Sequence, residues 1–119
     1  MTETPTVDTA REKILANRKA QPYGFAMIAS IRSKVLKRYW TRGDDSGLHA
    51  EWRGKIKRAM GVLNEATAQT DMDLSGYGFH ALTGDMQGRF AVSIFHNWRL
   101  TFGWSGDDAI DVDLEDYHG

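Results

Sequence analysis

Trp52, Ile56, Ala59, Met60, Leu63 and Ala66 recur at steps of three and four. That spacing runs one apolar stripe down a helix and makes this the clearest helix in the chain. Its other faces carry Arg53, Lys55, Lys57 and Arg58, with Arg53 and Lys57 one turn apart. Upstream, Ser33 is placed to cap a shorter helix that runs to Trp40 and stops at Gly43. Val35, Leu36, Tyr39 and Trp40 then face inward, and Lys34, Lys37 and Arg38 face outward. Before it, Met27, Ile28 and Ile31 suit a short initial strand.

Beyond the long helix the period changes from 3.6 to 2. Phe90, Val92 and Ile94 alternate with Arg89, Ala91 and Ser93, and Trp98, Leu100, Phe102 and Trp104 with Arg99, Thr101 and Gly103. In the last segment Ile110, Val112 and Leu114 alternate with Asp111 and Asp113. His96-Asn97 is short enough for a tight hairpin, and Ser105 to Asp108 supplies the next turn, so these three strands form an antiparallel meander. A further short strand is expected over Tyr77–Leu82. The order strand, two helices, then three to four antiparallel strands predicts a two-layer α+β domain with the long helix on one sheet face and polar chemistry on the other.

The chain of 119 residues is sized for one core, here residues 27–119. Residues 1–26 read as an extension, flexible or partly helical: Thr9 and Glu12 fit a capping box, but only Ile14 and Leu15 offer substantial apolar surface. It is either a plain tail or a docking or occluding arm. A composition of 41% hydrophobic and 26% charged residues suits a soluble globular protein. No apolar run approaches the roughly 20 residues that span a bilayer, so no membrane role is expected. The absence of cysteine removes disulfides, thiolate metal sites and cysteine nucleophiles, and the cytoplasm is the natural compartment.

The net charge of −1 conceals a division. Residues 32–60 carry nine basic and three acidic groups, and residues 61–119 carry two and ten. Such blocks either form a cationic surface for a polyanion or neutralise one another in space. Lys34, Lys37, Arg38, Arg53, Lys57 and Arg89 are the candidates for contacts to such a polyanion, the bland alternative being solvated surface.

Three stretches carry a resemblance: Phe79-His80-Ala81-Leu82-Thr83-Gly84, Asn97-Trp98-Arg99-Leu100-Thr101-Phe102, and Asp111 through Asp116-Tyr117-His118. Together they resemble the HigB branch of the RelE/ParE toxin superfamily, the plasmid-maintenance killer proteins, over Met27 to Gly119. The resemblance implies a RelE-like fold and a type II toxin that enters the ribosomal acceptor site and cuts messenger RNA during translation; because no pair among His49, His80, His96 and His118 has a metal-ligand spacing and no cysteine assists, chemistry without a metal or cofactor is expected. It further implies a cognate helix-turn-helix antitoxin, HigA-like, which neutralises the toxin and represses their shared promoter. The family's site residues fall on His80, Arg99, Asp116, Tyr117 and His118. The chain departs from the family in the first motif, usually Leu-His-Pro-Leu-Lys-Gly: Ala81 stands for the proline and Thr83 for the lysine.

Metal-free RNA cleavage needs a proton acceptor for the 2′-hydroxyl, a cation at the phosphate and a proton donor for the leaving 5′-oxygen. Histidine suits either proton-transfer role because its unperturbed pKa lies near 6.5. His80 and His118 are the candidates, against the plain alternatives of an exposed histidine and a frayed terminus. Arg99 can clamp a phosphate with its planar fork or pair with Asp111 or Asp113 across the sheet. Tyr117 can stack on a base, and Asp116 can orient a histidine or belong to a solvated acidic face. Because the Thr83 hydroxyl cannot replace an ammonium, a second reading stands beside the nuclease: a catalytically weak or inactive toxin-like protein that acts by binding antitoxin, ribosome or DNA gyrase.

Overall fold

The computed structural model describes residues 28–117; the extension expected over 1–26, Met27 and His118 lie outside them. Helix α1 spans Lys34–Arg42 and α2 spans Arg53–Glu65. Strands β1 (His80–Ala81), β2 (Arg89–Phe95), β3 (Trp98–Ser105) and β4 (Asp108–Asp116) form an antiparallel sheet in chain order. The α+β architecture and both helices fall where the hydrophobic periodicity places them. No described helix is long and apolar enough to cross a membrane.

The Ser33 hydroxyl accepts from the Leu36 amide at 3.2 Å, and Gly43, at φ 74°, closes α1 with its N–H on the Tyr39 carbonyl. These contacts satisfy groups that a helix end otherwise leaves open. Ile56, Ala59, Met60 and Leu63 of α2 are buried against Val92, Leu100, Phe102 and Val112 of the sheet. Each large side chain so buried stabilises the fold by about 1.5–3 kcal/mol. Leu36 brings α1 into the same core, with Tyr39 and Trp40 partly buried beside it.

Three local expectations change. The initial strand reduces to two isolated parallel bridges, Ile28 to Ala109 and Ile31 to Val112, carried by the Ala29, Arg32 and Val112 amides on the carbonyls of Ala109, Val112 and Ser30 and separated by the bulge at Asp111. The strand expected over Tyr77–Leu82 shrinks to His80–Ala81. Gly76 and Gly78, at φ 86° and 57°, turn the preceding backbone out of the extended form.

The third change is a bulge in β4. The β3–β4 register shifts between Thr101 and Gly103, with Asp111 at φ 51°. Ile110 therefore pairs with Gly103 on the face away from the helices, and Ala109 takes the buried place beside Trp104. A Cβ on Gly103 would come within 3.2 Å of Ile110 Cγ1, so the glycine accommodates the displaced isoleucine. Ser30 Oγ accepts from the Asp111 amide at 2.8 Å, and Arg89 donates to the Asp111 carbonyl at 2.9 Å.

Candidate functional site

The sheet face away from the helices is built from alternate residues of all four strands. Directly paired antiparallel residues point to the same side. His80 pairs with Ala91, Ala91 with Thr101 and Thr101 with Asp113. One register step away, Ser93 pairs with Arg99 and Arg99 with Glu115. Ala91, Ser93, Thr101 and Gly103 give this face a floor of small side chains. His80, Arg89, Arg99, Glu115 and Tyr117 stand around it.

The β2–β3 turn, His96-Asn97, ties two of these together. Arg99 Nη1 donates to the His96 carbonyl at 2.9 Å, and the Tyr117 amide donates to the Asn97 carbonyl at 2.8 Å. The Arg99 guanidinium carbon then lies 5.9 Å from the centre of the Tyr117 ring, within the range of a cation–π contact. The end of β4 is thereby tied to the turn through Tyr117. Burial first, and then the charge of Glu115, hold the Tyr117 phenol above its usual range, against the smaller opposing effect of Arg89 and Arg99.

Arg89, expected as a phosphate contact, reaches along the face. Its Nη2 donates to Thr101 Oγ1 at 2.9 Å and lies 3.8 Å from Glu115 Oε2, and Thr101 Oγ1 in turn donates to that carboxylate oxygen. Thr101 is fully buried. Glu115 and Thr101 were not among the residues picked out by sequence. The alternation of Val112 and Leu114 against Asp113, carried two residues further, puts Glu115 and Tyr117 on one side and Asp116 on the other.

Asp116 is accordingly not brought into this group. It pairs with Trp98, on the helix-facing side of the sheet, at the exposed end of β4. His80 does share the open face. Its Nδ1 lies 2.9 Å from the Gly78 carbonyl. A carbonyl only accepts, so Nδ1 carries hydrogen and Nε2 is the nitrogen left for proton exchange. Thr83 is exposed in the turn after β1.

Three polar atoms of the open face, Tyr117 Oη, Arg99 Nε and Arg89 Nε, are buried without a hydrogen-bond partner among the described residues. Each such group costs about 1–3 kcal/mol, and three of the five found among the described residues fall on this face, the other two being Trp52 Nε1 and Arg53 Nε at the start of α2.

The helix cations separate into two groups. Lys57 Nζ contacts Asp45 Oδ2 at 2.6 Å, and Arg53 donates to the Leu48 carbonyl at 3.0 Å while its Nε lies 3.9 Å from Asp45. Lys55 donates to the Gly76 carbonyl at 2.9 Å. These three pin loops to α2, which accounts for part of the basic block as internal neutralisation. Lys34 and Lys37 are exposed on α1, and Arg38 is half-buried there.

Residues 29–118 match the family model of the RelE-like toxin of type II toxin-antitoxin system HigB. The chain is also 33% identical over 92 residues, 77% of its length and all of the relative's, to the Endoribonuclease HigB of Proteus vulgaris. The match takes in the whole sheet and both helices, and with them every strand that contributes to the open face: the chain belongs to the HigB-like family of RelE-like toxins of type II toxin–antitoxin systems.

Proposed function

We propose that the open face of the sheet cleaves messenger RNA on the ribosome, in the cytoplasm, and that a HigA-like helix-turn-helix antitoxin restrains it. The observation that carries this reading is the cluster of Arg99, Arg89 and Tyr117 on one face, each with a buried polar atom lacking a partner. A phosphodiester supplies acceptor oxygens for guanidinium N–H groups and a base for the tyrosine ring. The relative's name, an endoribonuclease, supports the same chemistry.

In this scheme Arg99 holds the scissile phosphate and stabilises the charge that builds on its oxygens as the 2′-oxygen attacks. Tyr117, kept as a neutral phenol, stacks on a flanking nucleotide and fixes the in-line geometry. His80 Nε2 and His118 are the proton-transfer groups, one of them protonating the leaving 5′-oxygen. Asp116, on the far side of the strand, carries no step. Lys34, Lys37 and Arg38 contact ribosomal RNA phosphates from the exposed side of α1.

Cleavage of ribosome-bound transcripts by wild type, Arg99→Ala and His118→Ala tests the scheme. Each variant is expected to lose about a hundredfold or more in rate, and undiminished cleavage by both defeats the assignment. Thr83 favours the second reading, since the turn beside His80 offers no ammonium to the phosphate. Growth arrest with intact transcript ends would establish a toxin that acts by binding alone.

A further inference from the structure

Six acidic residues run from Asp107 to Asp116, and one of them stands beside the floor of the open face, bonded to it. Glu115 stands directly opposite Arg99 in the β3–β4 register. Its Oε2 accepts from the buried hydroxyl of Thr101 and lies 3.8 Å from Arg89 Nη2, which donates to that same hydroxyl at 2.9 Å. A donor chain thus runs from guanidinium to hydroxyl to carboxylate, fixing the hydroxyl's hydrogen toward Glu115. A carboxylate that serves only to balance charge on a strand needs no such seat. Both contacts fall on Oε2, so among the described residues Oε1 keeps its lone pairs for another donor. The side chain is 28% exposed, enough to be reached from the face.

We propose that Glu115 is the proton acceptor of the cleavage, taking the hydrogen of the ribose 2′-hydroxyl while Arg99, opposite it, holds the phosphate. The inference rests on the RNA-cleaving reading above and deepens it. The 2′-O–H bond breaks and its proton passes to the carboxylate; the 2′-oxygen bonds to phosphorus; the bond from phosphorus to the 5′-oxygen breaks, and that oxygen takes a proton from an imidazolium. The products are a 2′,3′-cyclic phosphate and a 5′-hydroxyl, and no other reagent is consumed. Paired Cα atoms in an antiparallel ladder are about 4.5–5.5 Å apart. Acceptor and phosphate clamp are therefore neighbours, as the adjacency of a 2′-hydroxyl to its own phosphate requires.

Glu115→Gln keeps the size of the side chain and an oxygen for Thr101 but cannot take the proton. With ribosome-bound transcripts its kcat is expected to fall about a hundredfold or more, with KM within about threefold of wild type, since ground-state binding is untouched. A transcript with sulfur in place of the leaving 5′-oxygen needs no acid. It should restore His80→Ala or His118→Ala, whichever lacks the donor, and leave the Glu115→Gln defect in full. Cleavage by Glu115→Gln within about threefold of wild type overturns the proposal, as does rescue of that variant by the sulfur substrate. If circular dichroism shows that this variant does not fold, Glu115→Asp decides: the carboxylate withdrawn by one methylene should cost at least about tenfold in kcat, and full activity overturns the proposal. A wild type that leaves transcripts intact sinks the RNA-cleaving reading itself, whereas a cleaving wild type with an equally active Glu115→Gln sinks only this inference.

Discussion

The Arg99 guanidinium lies 5.9 Å from the centre of the Tyr117 ring, and the two residues are held by successive carbonyls of one turn, those of His96 and Asn97. A phosphate clamp is thereby fixed against the aromatic ring expected to position the nucleotide. Lysine at position 99 would keep the charge but lose the planar fork, the stacking and the bond to the turn. Arg99→Lys is expected to reduce cleavage about ten- to a hundredfold while shifting stability by less than about 1 kcal/mol. Single-turnover cleavage beside thermal melts would show the two effects separately.

Tyr117 makes a pH prediction with a definite sign. Its phenol is held above the ordinary value of 10.0, chiefly by burial. The folded state therefore retains the proton after the unfolded chain has begun to lose it. This contribution to stability is whole below about pH 10 and is lost as pH rises through the raised value. Melting temperature should fall above pH 10 in wild type and fall less steeply in Tyr117→Phe. Phenolate absorbance during the titration would identify the group.

The division of the helix cations predicts which of them RNA feels. Arg53 and Lys57 already face Asp45, whereas Lys34 and Lys37 are exposed on α1. Lys34→Ala and Lys37→Ala should each weaken ribosome or RNA binding and lower the slope of log affinity against log salt by about 0.7–0.9. Arg53→Ala and Lys57→Ala should leave that slope unchanged and lower the melting temperature instead. Binding isotherms at several salt concentrations distinguish the pairs.

Much of this site was legible before any coordinates because alternation assigns sides. Arg99 opposite Leu100, and His80 opposite Phe79, follow from period 2 alone. Register is another matter. That Arg99 meets Glu115, and that Arg89 reaches Thr101, depends on how two strands pair, which no single-strand pattern contains. The bulge at Asp111 was hidden for a related reason: Ile110, Val112 and Leu114 read as one continuous face, and only the contacts from Ser30 and Arg89 show why the strand breaks step there. The run of acids from Asp107 to Asp116 concealed Glu115 by its very uniformity, since composition does not distinguish a seated carboxylate from a solvated one.

Thr83 offers a gain-of-function prediction. It is exposed at the start of the short turn after β1, close in sequence to His80, and its side chain makes no hydrogen bond that caps the turn. An ammonium introduced there by Thr83→Lys has room to extend without disturbing the core. If it reaches the scissile phosphate, cleavage should rise about tenfold, less than the hundredfold or more that a fully preorganised donor supplies. Stability should be unchanged within about 0.5 kcal/mol, as for other exposed substitutions. Rates on ribosome-bound transcripts and the growth defect on induction would both register the change.

The bulge in β4 supports the site from a distance, and Asp111 is the residue through which to test it. At φ 51° its backbone is in the left-handed region, tolerable for aspartate and strained for a β-branched residue. Its side chain also meets Arg32 at 3.6 Å and Ser30 Oγ at 3.3 Å. Asp111→Val should therefore destabilise the protein by about 1–3 kcal/mol. Asp111→Gly removes the strain but also the carboxylate, so it should cost less. Because the Asp111 carbonyl is one of the two acceptors that hold Arg89 Nη2, the valine variant should also loosen the Arg89–Thr101–Glu115 chain. Cleavage measured well below the melting temperature, where the variant is fully folded, should fall with Asp111→Val more than with Asp111→Gly. Equal activities would show that the bulge positions only the fold and not the face above it.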